Sequence, residues 1–178
     1  MFKSLACSIA LVFCALPPAA RAGRTQGEAA PTVVIIVRHA EKQAAPADDP
    51  PLTAEGEKRA KRLAEIAEAA GVGVVYATQA RRTRDTAQFA AGRLGLTLNV
   101  RNVTRATLDA HVAEMEKEIR ASQGKTVLVV GHSNTAPRIA SALTGKLIPD
   151  LDDATEFDAI FVVILHKAGT PKLIRAKY

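Results

Sequence analysis

The 178-residue chain has no tryptophan, only two tyrosines, and aromatic residues at just 4% of positions. Surfaces that bind single-stranded nucleic acid need such rings to stack bases, and no basic tract longer than a few residues replaces them. The formal charge of +6 therefore does not describe a nucleic-acid partner. Cysteine is equally scarce. Cys7 and Cys14 both fall in the first fourteen residues, so the body of the chain has no disulfide, no thiol nucleophile and no cysteine metal ligand. No apolar run approaches the roughly 20 residues of a membrane span.

Residues 1–22 read as an export signal. Lys3 supplies the charge, Leu5 to Leu16 a short apolar stretch, and Ala20-Arg21-Ala22 the small-residue cleavage pattern, with the cut expected after Ala22. Bulky Phe13 poorly fits the small residue expected before a lipidated cysteine, so no stable membrane anchoring is expected from Cys14. Residues 23–31 form a Gly- and Ala-rich leader, and 32–178 make one ordinary domain. These features predict a periplasmic or secreted protein. Loss of Lys3 and Arg21 lowers the charge to +4, and several of the remaining arginines cluster beside candidate strand ends, which suits a small anionic ligand.

Strands are predicted at Val33–Val37, Val72–Ala77, Leu96–Val100, Val127–Val130, Ile160–Leu165 and Lys172–Arg175, with helical patterns filling the gaps between the first four. That alternation predicts an α/β three-layer sandwich with a central, largely parallel sheet flanked by helices, closed by a C-terminal hairpin around Lys167-Ala168-Gly169-Thr170-Pro171. Thr53 is a candidate N-cap for a helix carrying Ala60, Leu63, Ala64 and Ala67 on one stripe. A later stripe, Leu108, Val112, Met115 and Ile119, is core.

The chemistry-bearing residues gather at predicted strand ends. Arg38-His39 follows the first β-branched run and Gly131-His132 the fourth, and ligands of α/β sheets sit at carboxyl ends of strands. Thr78-Gln79-Ala80-Arg81-Arg82-Thr83-Arg84 follows the second strand and opens a helix. Arginines there oppose the helix dipole unless an anion stands in front of them. Two imidazoles and several guanidinium groups at one cleft fit phosphoryl transfer: a neutral imidazole attacks phosphorus, arginines hold the equatorial oxygens, and the second imidazole stabilises developing charge. Asn134 is a candidate N-cap and a secondary phosphate contact, whereas His111 and His166 read as packing or surface residues.

Two apparent motifs lead nowhere. Gly124-Lys125-Thr126 echoes the end of a P-loop but precedes a strand, and His39-Ala40-Glu41 echoes a zinc deaminase triad without the cysteines that would complete it. No metal and no cofactor is expected.

The chain resembles the histidine phosphatase superfamily, the phosphoglycerate mutase-like fold, through four blocks in family order. These are Arg38-His39 after a strand, Leu52-Thr53-Ala54-Glu55-Gly56, the block Thr78 to Ala87 with Thr78, Arg82 and Thr86-Ala87 at family spacing, and Gly131-His132. The resemblance implies that His39 becomes phosphorylated, that Arg38 and Arg82 bind the transferring group, and that His132 completes the pocket. Ala40 replaces a glycine common in the family. The acid that protonates the leaving group has no recognisable motif here: Asp109 lies in the corresponding stretch, Glu41 is its rival, and Asp158 is a third choice.

These readings predict a phosphohydrolase acting on a small phosphorylated substrate or a phosphoprotein. The alternatives are a phosphate-binding module that kept the pocket without turnover and, within the same fold, a phosphomutase.

Overall fold

The computed structural model describes residues 30–178; the export segment and all but the end of the leader lie outside the described residues. The elements run β1 (Thr32–Arg38), α1 (Ala54–Ala69), β2 (Val72–Thr78), α2 (Arg81–Leu94), β3 (Leu98–Arg101), α3 (Leu108–Ala121), β4 (Thr126–Gly131), α4 (Thr135–Thr144), β5 (Ala159–Leu165) and β6 (Lys172–Lys177). All six expected strands form, with ends shifted by one or two residues.

The sheet order is β3-β2-β4-β1-β5-β6. The first four strands are mutually parallel, whereas β5 runs antiparallel to β1 and turns back into β6. Strand β1 is nearly all buried because both of its faces are covered. Val34 and Ile36 pack with Met115 and Ile119 of α3 and Ile139 and Leu143 of α4, while Ile35 and Val37 pack with Leu63 and Ala67 of α1 and Ala87 and Ala90 of α2. Each such aliphatic side chain contributes about 1.5–3 kcal/mol on burial, which accounts for a stable body without cross-links. Strand β6 carries Lys172, Arg175 and Lys177, charges that discourage edge-to-edge pairing.

Local sequence sets the helix ends. Thr53 caps α1, its Oγ1 accepting from Gly56 N at 3.0 Å, and Gly71 follows that helix at φ +65°, a conformation that suits glycine. No helix among the described residues is long and apolar enough to cross a membrane.

Candidate active site

Parallel pairing of β1 with β4 is what brings the two histidines together. Arg38 stands opposite Gly131 in the register, and the next residue along, His39, donates its backbone N–H to the Gly131 carbonyl at 2.9 Å. The His39 and His132 rings consequently lie edge-to-face with centroids 5.5 Å apart. On the other flank of β4, β2 ends at Thr78 and α2 starts three residues later. That places Arg82 Nη2 3.5 Å from His132 Nδ1. The result is a cleft of about 590 Å³ lined by His39, Lys42, Arg82, Arg105, His132, Ser133, Asn134 and Asp153 among others.

His39 is only 3% exposed, and its orientation is fixed. Nδ1 lies 2.8 Å from the Ala40 carbonyl, which can only accept, so Nδ1 carries the proton and Nε2 is left with its lone pair. Ala40 is held in turn: its N–H donates to Thr86 Oγ1 at 3.0 Å, and its methyl packs on Leu52 and Ala60. Burial, helped by nearby His132, Arg38 and Arg82 and opposed by the Ala40 carbonyl, pushes the His39 pKa down to about 3. Burial first, then Arg82 and Arg38, lowers that of His132 to about 4. Both imidazoles are therefore neutral at physiological pH, the state in which a ring nitrogen attacks phosphorus.

These depressed values link folding to acid. Well above pH 6.5 both histidines are neutral whether the chain is folded or not, and their contribution to stability is complete. Below that, the unfolded chain takes up protons that the folded protein refuses, so stability falls as the pH drops from 6.5 toward 4. Each histidine contributes up to about 1.4 kcal/mol per pH unit in that window. The melting temperature is expected to fall between pH 7 and pH 4.5, and a His39→Gln/His132→Gln variant to fall less steeply. Parallel curves from thermal melts across this range would remove the linkage.

Arg38 departs from the sequence expectation. It is 1% exposed, and both terminal nitrogens are engaged by the segment before β5: Nη1 donates to the Asp152 carbonyl at 3.1 Å, and Nη2 to the Asp153 carbonyl at 2.8 Å and to Asp153 Oδ1 at 2.7 Å. Phe157 lies under the guanidinium with its ring centroid 3.9 Å from Cζ. Arg38 is thus a buried brace that tethers this segment beside His39, and its positive field reaches both imidazoles. Arg82, by contrast, lines the cleft. The Nε atoms of both arginines are buried without a protein partner, so the site has more donors than acceptors, as an anion site should.

Comparison with known proteins accords with this geometry. Residues 34–105, spanning β1 to the turn after β3 and including Arg38, His39 and Arg82, match the family model described as Histidine phosphatase superfamily (branch 1). Among solved structures, a protein histidine phosphatase, SixA, complexed with tungstate superposes with a TM-score of 0.63 at 19% identity, covering 82% of this chain and 96% of that one. A chain from Nakamurella multipartitia that carries the SixA name gives 0.57 at 24% identity, covering 84% and 98%. A mycobacterial glucosyl-3-phosphoglycerate phosphatase in complex with VO3 gives 0.57 at 17%, covering 84% and 99%. At these identities the likeness is one of fold. No curated protein matches the chain.

The structure places none of the three proposed acids in the cleft. Asp109 has a side chain 98% exposed, lies 3.8 Å from Arg138 and borders a separate depression with Val112 and Ile148. Its place in the first turn of α3 accounts for it through the helix dipole. Asp109→Asn is expected to leave turnover unchanged and stability within about 0.5 kcal/mol, as measured by steady-state kinetics and denaturation.

Glu41 is clamped by Arg59, whose Nε lies 3.0 Å from both carboxylate oxygens and whose Nη2 lies 2.7 Å from Oε1. Burial acts to raise its pKa, but these hydrogen bonds outweigh burial and hold the carboxyl below its ordinary value, engaged with Arg59 rather than with the cleft. Asp158 pairs with Lys177 at 3.1 Å.

The carboxylate that does border the cleft is Asp153, which sequence reasoning missed. Ser133 and Arg38 keep its pKa low, and it stays ionised. Nothing local marks Asp153, because its partner Arg38 is 115 residues away.

Asn134 borders the cleft and stands at the N-cap position of α4, but its side chain makes no cap bond. The neighbouring Thr135 Oγ1 instead accepts from His132 N at 2.7 Å. At the start of α2 the expected anion is supplied by the protein: Asp49 Oδ1 accepts from Arg81 N at 2.7 Å, and the Arg81 side chain reaches Asp85 at 3.4 Å. His111 is buried in packing and His166 is exposed. Among the described residues, no group of three or more His, Cys, Asp or Glu side chains is arranged to hold a metal ion.

Proposed function

We propose that this phosphatase hydrolyses phosphomonoesters, or phosphorylated protein side chains, through a phosphohistidine formed at His39. The observation that carries the reading is the fixed tautomer of His39. With Nδ1–H committed to the Ala40 carbonyl, Nε2 is a neutral nucleophile in a cleft shared with His132 and Arg82. In the first half-reaction Nε2 attacks phosphorus and the bond to the leaving group breaks. In the second, water displaces the phosphoryl group and restores the imidazole. Arg82 supplies charge for the equatorial oxygens, the part a metal plays in other phosphoryl transfers.

Lys42 and Arg105, at the cleft wall, make no ion pair among the described residues, and Asp153 is the one carboxylate lining the cleft. That surplus of positive charge supports an anionic substrate. The signal-like first 22 residues support export to the periplasm or medium, which cell fractionation checks directly. Turnover is tested by incubating the purified protein, with chelator present, with a panel of small phosphomonoesters and with a phosphorylated protein. Phosphate release is expected. Tight binding of phosphate without release from any panel member would instead identify a binding module.

A further inference from the structure

The cleft has a nucleophile but, in the described residues, no carboxylic acid free to carry a proton, and the hydrogen bonds around His132 indicate what takes that part. Thr83 Oγ1 lies 2.6 Å from the Ala80 carbonyl and 3.0 Å from the Thr78 carbonyl, groups that only accept, so the single Thr83 hydroxyl proton points to a carbonyl. Thr78 Oγ1, 2.7 Å from Thr83 Oγ1, must therefore be the donor of that pair. Having spent its proton, Thr78 Oγ1 can only accept from His132 Nε2, 2.8 Å away. His132 is consequently protonated on Nε2 and bears a lone pair on Nδ1. A second contact requires the same tautomer: Arg82 Nη2, a donor with no acceptor capacity, faces Nδ1 at 3.5 Å.

A neutral imidazole in this tautomer cannot donate a hydrogen bond to a phosphoryl oxygen from Nδ1; it can only receive a proton there. We propose that His132 Nδ1 is the proton carrier of both half-reactions, and that Thr78 and Thr83 are positioning residues that hold it in the receptive tautomer. This rests on the phosphohistidine reading above.

A monoester enters as its monoanion and passes its proton to Nδ1. As His39 Nε2 bonds to phosphorus, the ester P–O bond breaks, its electrons leave with the oxygen, and Nδ1 returns the proton to that oxygen. In the second step Nδ1 takes a proton from the attacking water as the P–N bond breaks. The electrons return to His39 Nε2, and the proton passes to the departing phosphate. Monoester monoanion and water thus become alcohol and dihydrogen phosphate.

The groups facing His132 suit this cycle. Burial, then Arg82 on α2, Arg38 at the end of β1 and His111 on α3 oppose protonation, Asp153 before β5 favours it weakly, and the His39 ring lies edge-to-face beside it. A phosphoryl anion between His132 and Arg82 reverses that balance, so the proton is taken only when substrate is present.

The test uses the full chain with 15N-labelled histidine. In the free protein, NMR should show His132 with Nε2 protonated and Nδ1 bare, and inorganic phosphate should raise the pH at which Nδ1 gains a proton. Thr83→Val removes the acceptor for Thr78 while leaving the Ala80 carbonyl its bonds from Thr83 N and Arg84 N, so the helix start should survive. This variant is expected to lose about 100-fold in kcat, a typical general acid–base contribution, with KM little changed and phosphohistidine accumulating. Thr83→Ser should restore turnover.

A proton on Nδ1 of His132 in the free wild type would overturn the proposal, and that measurement needs no variant. So would an unchanged kcat and pH profile in Thr83→Val. Absence of any phosphoryl group on His39 would defeat the underlying reading instead, so the two failures are distinguishable.

Discussion

Replacement of His39 by alanine is expected to lower turnover by four orders of magnitude or more, the scale on which covalent enzymes lose activity with their nucleophile, roughly 10⁴–10⁶. The loss should fall on kcat, because Arg82 and the cleft wall, which we propose bind the phosphoryl group, are untouched. Phosphate binding, followed by calorimetry, should persist. The variant should also resist acid better than the wild type, since one of the two neutral imidazoles that oppose protonation in the fold has gone. Steady-state kinetics with a generic phosphomonoester and melts at pH 5 check the two halves of this expectation. Retained turnover would mean that another group attacks phosphorus.

The second large effect concerns Gly56, in the first turn of α1. A Cβ at this position would run into the backbone carbonyl oxygen of Glu41. That oxygen has little room to yield. It accepts from Thr53 N at 2.9 Å, and Glu41 is further anchored through its carboxylate to Arg59. Gly56→Ala must therefore shift α1 or move the chain two residues beyond His39. Overpacking of this kind costs about 1–3 kcal/mol, occasionally more, and the rigidity of a backbone neighbour places this case toward the upper end. Denaturant unfolding should show a lower midpoint, with kcat reduced in the folded fraction because Ala40 and His39 shift with Glu41. An unchanged midpoint and kcat would show that the contact relaxes freely.

Gly56 also illustrates what a sequence can and cannot show. It stood out only as part of the block Leu52 to Gly56, and the reason for a glycine there lies in a contact with Glu41, fifteen residues earlier. The fold was legible because its signals are local. β-branched runs marked β1 and β4, Thr53 marked a helix start that its hydroxyl indeed caps, and alternation of strand and helix implied parallel pairing. From that pairing followed the juxtaposition of His39 and His132, the part of the site most directly readable.

What escaped depends on long-range placement. Arg38 and His39 are adjacent in sequence, yet Arg38 spends its terminal nitrogens on Asp152 and Asp153, more than a hundred residues away. Asp109 lies in the stretch that corresponds to the family's acid, and Glu41 stands two residues beyond His39. Helix α3 turns the first outward, and Arg59 holds the second. The part of Thr83 depends on the fold of its own turn, which sets its hydroxyl between the Ala80 carbonyl and Thr78 and so fixes the tautomer of His132.

The central claim, that His39 Nε2 becomes the phosphoryl acceptor, is tested most directly by mixing the protein with a phosphomonoester, quenching within the first turnovers and locating the label by mass spectrometry. An acid-labile, base-stable phosphoryl group on His39, absent from His39→Ala, is the predicted result. Turnover with no phosphoryl group on His39, or with the group on another residue, would contradict it.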